Sequence, residues 1–287
     1  MKIEKMVHNY LLDIKLRYSN GTWRFYDSHL GHFVNFAERL GVVNVEDVTD
    51  ELIVDYIGHM KETCANITIN KNIGCLKRMY KRMEVPFPYL QAIEKLKERH
   101  KTFDMIPEDK LKEIRAYMKK LPDSVGNNLY YKSLILLLMD TGARILEILL
   151  IEKKHVNLVE QEILLTHTKT KEDRIVFISD TTAKVLSKLM KIETKHQYLL
   201  HNIIRNRPSN YEDVLFFMKK MKLIFKMKSL HAHMFRHSMA SIWLQNGTDI
   251  RSVMDVLGHK NLETTQRYLH MSKEHAKNMY RKNYNLD

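Results

Sequence analysis

Apolar residues in the first hundred positions recur every three or four residues, four times over. Val7, Tyr10, Leu11, Ile14 and Tyr18 fall on one face of a first helix, and Trp23, Tyr26, Leu30, Phe33, Ala37 and Leu40 on a second. Asp50 can cap a third helix that turns Leu52, Ile53, Tyr56, Ile57 and Met60 inward; Ile73, Leu76, Tyr80 and Met83 line a fourth. A 3.6-residue period does not serve a strand, so this stretch predicts an all-α bundle whose aromatic stripes are core.

The pattern then changes. Residues 98–107 are polar and end in Pro107, which suits the first turn of a new helix through Leu111, Ile114, Met118 and Leu121. This places one domain at 1–100, a linker at 101–107 and a second domain at 108–287. The linker has no Gly/Ser tract, so it predicts a hinge and not a long tether. In the second domain Leu129–Met139 is almost continuously apolar, as a buried helix requires, and Gly142 can end it. A helix follows from Arg144. Two β-like runs, Glu162–Thr166 and Arg174–Ile178, flank the charged turn Thr168–Asp173, and Leu215–Phe217 is strand-like. Helical periodicity returns with Phe235, Met239, Ile242 and Trp243, then Ile250, Val253, Met254 and Leu257 before Gly258. The second domain is thus mixed but mainly α, with a small β-sheet.

Composition narrows the function classes. Apolar residues make up 44% of 287, which argues against global disorder. The formal net charge is +13, and residues 101–287 hold 32 Lys+Arg against 21 Asp+Glu, so the second part carries most of it. Such a balance favours a polyanionic partner. The fourth helix adds Lys71, Lys77, Arg78, Lys81 and Arg82 opposite its apolar stripe, either a solvated face or a DNA-phosphate surface. Cys64 and Cys75 have no metal-like or redox-like spacing and read as small hydrophobes of a reducing compartment. No stretch has the length of a membrane span or a signal h-region, so a cytoplasmic location is expected.

Three segments carry chemistry. His233, Arg236, His237 and Ala240 share one helix face opposite Phe235, Met239, Ile242 and Trp243, so one side packs while the other presents an imidazole and a guanidinium. His233 and His237 have the spacing of a zinc-hydrolase helix, but Met234 stands where that motif needs a glutamate, and no metal is expected. Arg144 follows Thr141-Gly142-Ala143 at a helix start where backbone N–H groups favour an anion, and Glu147 lies one turn on to orient it. Two arginines can clamp one phosphate. Tyr268 follows Leu257-Gly258-His259, but nothing physical singles it out among 14 tyrosines.

The string His233-x-x-Arg236-His237, Leu257-Gly258-His259, Tyr268 resembles the signature of the tyrosine recombinase (phage integrase) family. Thr141-Gly142-Ala143-Arg144-Ile-Leu-Glu147 resembles that family's first-arginine motif, and Thr168-Lys169-Thr-Lys171-Glu-Asp-Arg174 its β-hairpin lysine motif. The matches run in order over about residues 105–275, and the helical first hundred residues are similar in size and type to the family's core-binding domain. The resemblance implies that Tyr268 attacks the scissile phosphorus to give a 3′-phosphotyrosyl link. Arg144 and Arg236 would neutralise the transition state, Lys169 would protonate the leaving 5′-oxygen, His233 would assist proton transfer and His259 would hydrogen-bond the phosphate. Lys169 is preferred to Lys171 because Arg174 follows it at the family's interval.

It further implies a double-stranded DNA recombination site as substrate and a homotetramer on DNA. It implies no cofactor and no membrane, and leaves room for an accessory recombinase or directionality factor. The residues past Tyr268 would dock on a neighbouring subunit. Helices that begin almost at Met1 suggest a Xer-like or small mobile-element recombinase. The segment between Phe217 and His233 is short for that family's usual strand and helix, so a helix is expected to be trimmed or displaced into Tyr198–Arg205. Two alternatives stand beside recombination: a type IB topoisomerase-like nicking and sealing enzyme, and a catalytically inert DNA-binding regulator.

Overall fold

The computed structural model describes residues 1–98, 104–166, 172–259, 261 and 265. The chain divides into two compact units, Met1–Lys101 and Thr102–Asp287.

The first unit is helical: α1 (Ile3–Arg17), α2 (Asn20–Arg39), α3 (Asp50–Thr63), α4 (Asn66–Arg82) and the short α5 (Pro88–Ala92). Its core is built from the stripes read in the sequence, with Val7, Tyr10, Leu11, Ile14, Leu30, Phe33, Ala37, Leu52, Ile53, Tyr56, Met60, Ile73, Leu76 and Tyr80 buried. Phe36, Cys75 and Met79 join them. Tyr18 and Leu40 do not: each stands at a helix C-cap and is exposed, because the stripe outruns its helix. Asp50 is the first helical residue of α3; the cap is Thr49, whose hydroxyl accepts from the Leu52 N–H at 3.2 Å. A buried hydroxyl is satisfied where Tyr56 donates to Asn72 Oδ1 at 3.1 Å.

The basic face of α4 is partly committed within this unit. Arg82 donates through Nε and one terminal nitrogen to both oxygens of Asp13, each at 3.0 Å. Arg78 lies over the Tyr26 ring at 5.5 Å. Lys77 donates to the carbonyls of Gln91 and Ile93. Lys71 and Lys81 are exposed. The chain after α5 lies along α4: Asn70 accepts from the Leu96 N–H and donates to the Leu96 carbonyl, both at 2.9 Å, and Asn66 donates to the Lys97 carbonyl.

In the second unit, α6 (Glu108–Lys120) starts one residue later than the sequence suggests, with Pro107 as N-cap. Helix α7 (Asn128–Thr141) is buried nearly all round, as its apolar run demands, and packs against α6, the short α8 (Ile145–Leu149), α9 (Asp180–Met190) and α11 (Ala232–Gln245). Strands β1 (Val156–Asn157), β2 (Glu162–Leu165) and β3 (Arg174–Phe177) form an antiparallel sheet in that order, with Leu165 opposite Arg174. Strands β4 (His201–Asn202) and β5 (Arg207–Pro208) make a second small ladder. Helices α10 (Tyr211–Ile224), α11 and α12 (Ile250–Leu257) complete the described part.

Two sequence expectations are corrected here. Leu215–Phe217 is not strand but the middle of α10, which Asn210 and Asp213 start by exchanging side-chain-to-N–H bonds at 3.0 Å. Tyr198–Arg205 therefore holds no displaced helix; it carries β4. Helix α9 gave no sequence reading, although Ser179 caps it by accepting from the Thr182 N–H.

Asp140 ties three helices together. It accepts from Arg115 of α6 at 3.0 Å, from the N–H and hydroxyl of Ser179 at 2.8 Å each, and from the Thr182 hydroxyl of α9. Its side chain is only 7% exposed. Asp140→Ala leaves these donors unmet and should cost about 2–4 kcal/mol. Urea unfolding followed by Trp243 fluorescence in a Trp23→Phe background measures it; an unchanged midpoint would refute this role.

Candidate active site

The site is assembled at two left-handed turns. Helix α7 ends at Gly142, φ +58°, where a β-carbon would come within 2.9 Å of Leu257 Cδ2. Only glycine meets both demands. The turn is braced by the Thr141 hydroxyl, which accepts from the Ala143 N–H at 3.1 Å. It delivers Arg144 as N-cap of α8. The second turn is Gly258, φ +65°, which ends α12. That helix starts on Asp249, whose Oδ1 accepts from the N–H groups of Arg251 and Ser252 at 2.9 Å each.

Three guanidiniums converge on the carboxyl end of α12. Arg174 Nε donates to the Val256 carbonyl at 2.8 Å, Arg236 to the Leu257 carbonyl at 2.7 Å, and Arg144 to the Gly258 carbonyl at 3.2 Å. Arg236 also donates to the Gly142 carbonyl at 2.9 Å, which joins the two turns. The last carbonyls of a helix lack intrahelical partners and sit at the negative end of its dipole, so cations belong there.

Glu147 is the carboxylate beneath them, with its side chain 2% exposed. It accepts from the Arg144 N–H and a terminal nitrogen at 2.9 Å each, and from both terminal nitrogens of Arg174 at 3.2 and 2.7 Å. Burial pushes its pKa up, but the Arg174 and Arg144 hydrogen bonds more than offset this and hold it below the usual value. It therefore stays ionised. Among the described residues three guanidiniums face this one carboxylate, and Arg144 is 23% exposed. Such a cluster suits an anion with several oxygens.

The histidines answer to the same field. His259 is pushed down to about 3 by burial and then by Arg236, Arg144 and Arg174; its Nδ1 is hydrogen-bonded to the buried Thr265 hydroxyl at 2.8 Å. His237 is pushed down to about 4 by burial, His233 and Arg236. His233 is lowered by desolvation, then by Arg236, His231 and Arg144; its ring meets that of His237 edge-on at 5.0 Å. Near neutral pH all three are uncharged imidazoles, each able to give one hydrogen bond and take one.

The structure thus brings Arg144, Arg236 and His259 together and sets His233 within their electrostatic reach. Lys169 and Tyr268 lie outside the described residues. Lys71, Lys77, Arg78, Lys81 and Arg82 belong to the first unit. Two readings change. Arg236 is buried, 2% exposed, and Ala240 fully so, so of that α11 face only His233 is exposed and the guanidinium is not presented to solvent. The Arg144 N–H is occupied by Glu147, so α8 offers no open N–H there. Arg174 served in the sequence only as a spacing marker; nothing in that spacing told that it would reach Glu147 and Val256.

The low imidazole pKa values set a pH dependence. An unfolded histidine titrates near roughly 6.5, whereas the folded His259 and His237 do so at about 3 and about 4. Between those limits the unfolded chain binds protons that the folded one refuses, so stability falls as pH drops below about 6.5. His259→Gln should make that fall shallower by up to about 1.4 kcal/mol per pH unit. Denaturant titrations from pH 7.5 to 4.5 test this; equal slopes in both proteins would exclude it. Sulfate, a dianion throughout this range, should by favouring the imidazolium raise the denaturation midpoint more at pH 5 than at pH 7.5.

Known proteins match this chain over nearly its whole length. The phage integrase family profile covers residues 104–275, and a phage integrase SAM-like domain covers 4–82. A probable integrase/recombinase of Acholeplasma phage L2 is 28% identical over 98% of both chains. The tyrosine recombinase XerC of Lacticaseibacillus casei (strain BL23) is 27% identical over 95% of both. Among solved structures, the Tn1549 transposon integrase in complex with transposon right end DNA superposes with a TM-score of 0.77. It is 15% identical, over 98% of this chain and 99% of that one. XerH site-specific recombinase bound to a palindromic difH substrate gives 0.76 at 18% identity, over 90% and 78%. A helical unit followed by a mainly helical second unit is therefore a fold these proteins share. With the family profile spanning more than half of the sequence, the chain belongs to the phage integrase family of tyrosine recombinases.

Proposed function

We propose that this chain is a site-specific DNA recombinase that cuts and rejoins duplex DNA through a 3′-phosphotyrosyl intermediate. The observation that carries the reading is the cluster at the end of α12, where Arg144 and Arg236 donate to the Gly258 and Leu257 carbonyls beside a His259 held neutral; on this reading the scissile phosphate would sit against it. The related integrase and recombinase sequences support it, as does the fold shared with enzymes solved on DNA.

In the first step the Tyr268 oxygen forms a bond to phosphorus and the bond from phosphorus to the 5′-oxygen breaks. Tyrosine has a reference pKa of about 10, so its proton must be drawn off as the bond forms; His233, uncharged, takes it. Lys169 gives a proton to the departing 5′-oxygen. Arg144 and Arg236 hold the non-bridging oxygens as charge grows on them, and His259 donates a hydrogen bond through Nε2 when Nδ1 accepts from Thr265. A partner strand's 5′-hydroxyl then reverses these roles. One phosphodiester is exchanged for another, so the cycle as written needs no ATP. Exchange between two sites calls for four protomers in a synapse, two active at a time. The α4 residues Lys71 and Lys81, with Lys77, Arg78 and Arg82 beside them, would track the backbone, and affinity would fall steeply with salt.

The test is covalent trapping on nicked suicide substrates built from DNA flanking the coding sequence. Wild type should give an SDS-resistant adduct and Tyr268→Phe none; an adduct in both would assign the wrong nucleophile. Arg144→Lys and Arg236→Lys should slow adduct formation by roughly 100- to 1,000-fold while DNA binding changes little. Full-rate cleavage by either variant would remove that arginine from the chemistry.

A further inference from the structure

Arg174 is the one guanidinium of the three with no role in the mechanism above. Its side chain is 10% exposed, and its bonds all run inward: Nε to the Val256 carbonyl and the two terminal nitrogens to the two oxygens of Glu147. Arg144, by contrast, is 23% exposed and shares only one oxygen of Glu147 through its side chain. Arg236 is buried too and also donates to a carbonyl of the α12 turn; what sets Arg174 apart is that it takes both oxygens of Glu147 as well.

The surroundings are shaped to its planar group. A β-carbon on Gly258 would stand 3.0 to 3.3 Å from the Arg174 guanidinium, at a backbone φ of +65°. Glycine here thus does two things: it turns the chain, and it lets the guanidinium lie close over the turn that carries His259. Arg174 also opens β3, paired with Leu165 at the root of the hairpin, so its backbone is fixed by the sheet. The side chain therefore links three separate pieces: sheet, α8 and the end of α12. A lysine has the charge and the reach but only one nitrogen, which cannot serve two carboxylate oxygens and a carbonyl in a fixed fork.

We propose that Arg174 is a positioning residue for phosphodiester cleavage, acting through Glu147 on Arg144 and through the Val256 carbonyl on the α12 turn that carries His259. Without it, Glu147 keeps, among the described residues, only the two Arg144 donors, and the spacing of the groups it holds is no longer fixed from the sheet side. A shift of about 1 Å in such donors costs on the order of 100-fold in rate. The inference rests on the recombinase reading of the same site.

The experiment is single-turnover cleavage at saturating suicide substrate, with DNA affinity measured in parallel. Arg174→Lys should slow adduct formation by about 100-fold and leave DNA affinity within about threefold of wild type. Because the effect passes through Glu147, the double variant Arg174→Lys/Glu147→Gln should be no slower than the slower single, within about threefold. A substrate with sulfur in place of the scissile 5′-oxygen needs no proton for its leaving group. It should rescue Lys169→Ala but not Arg174→Lys.

Full-rate Arg174→Lys, multiplying losses in the double variant, or sulfur rescue of Arg174→Lys would each overturn the proposal. Arg174→Ala with added methylguanidinium gives a second arm. A regained rate supports the positioning role, and none regained in a variant that melts like wild type counts against it. Absence of any wild-type adduct with either substrate would instead defeat the recombinase reading itself.

Discussion

The second unit depends on one unfavourable fact: the last carbonyls of α12 and the carboxylate of Glu147 are both taken out of water next to each other. Either alone would cost free energy, and together they repel. Three arginines from three parts of the sequence resolve this. Among the described residues the cluster then sets three guanidiniums against one carboxylate, and the phosphate of the proposed substrate would supply the balance. Binding and folding thus share one electrostatic solution. Burial first, and then this positive charge, keeps the histidines neutral in the free protein, and an anion would act on the second of these causes.

Buried ion pairs are poor sources of net stability but hold geometry well, since removing one partner strands the other. Here the geometry is the product. Arg144 is pinned at three atoms, one of them its own backbone N–H, so little side-chain entropy is left to lose when a phosphate arrives. Gly142 and Gly258 work to the same end. Each turns the chain and also leaves room for a neighbour, Leu257 at Gly142 and Arg174 at Gly258.

The periodicity of the first hundred residues was enough to place four helices and most of their core, because packing there follows local spacing. It failed at Tyr18 and Leu40, where only the cap tells that the helix has ended. In the second unit α7 was legible from its unbroken apolar run. Helix α10 was not. Leu215, Phe216 and Leu223 lie on its exposed side, so the 3.6-residue signal is blurred and VLFFM reads as a strand. For the site, residue types and order marked Arg144, His233, Arg236 and His259, and the family resemblance gave them meaning. The burial of Arg236 could not be read, because its partners are carbonyls at 142 and 257, far away in sequence and silent as to side-chain type. Arg174 was hidden for the same reason.

The hydrogen bonds that lay the chain after α5 along α4 bear on how far apart two modules can work. Counting residues from the end of α5 to the start of α6 would assign 93–98 to the spacer. Asn70, Asn66 and Lys77 instead hold points along that stretch by its backbone groups. At about 3.4 Å per extended residue, that removes roughly 20 Å of reach. If both units contact the duplex, as proposed above, a shorter tether would raise the local concentration of the second contact once the first is made. Contour length here is thus set by two asparagines and a lysine on a helix, and a substitution at any of them would lengthen the free segment without adding a residue.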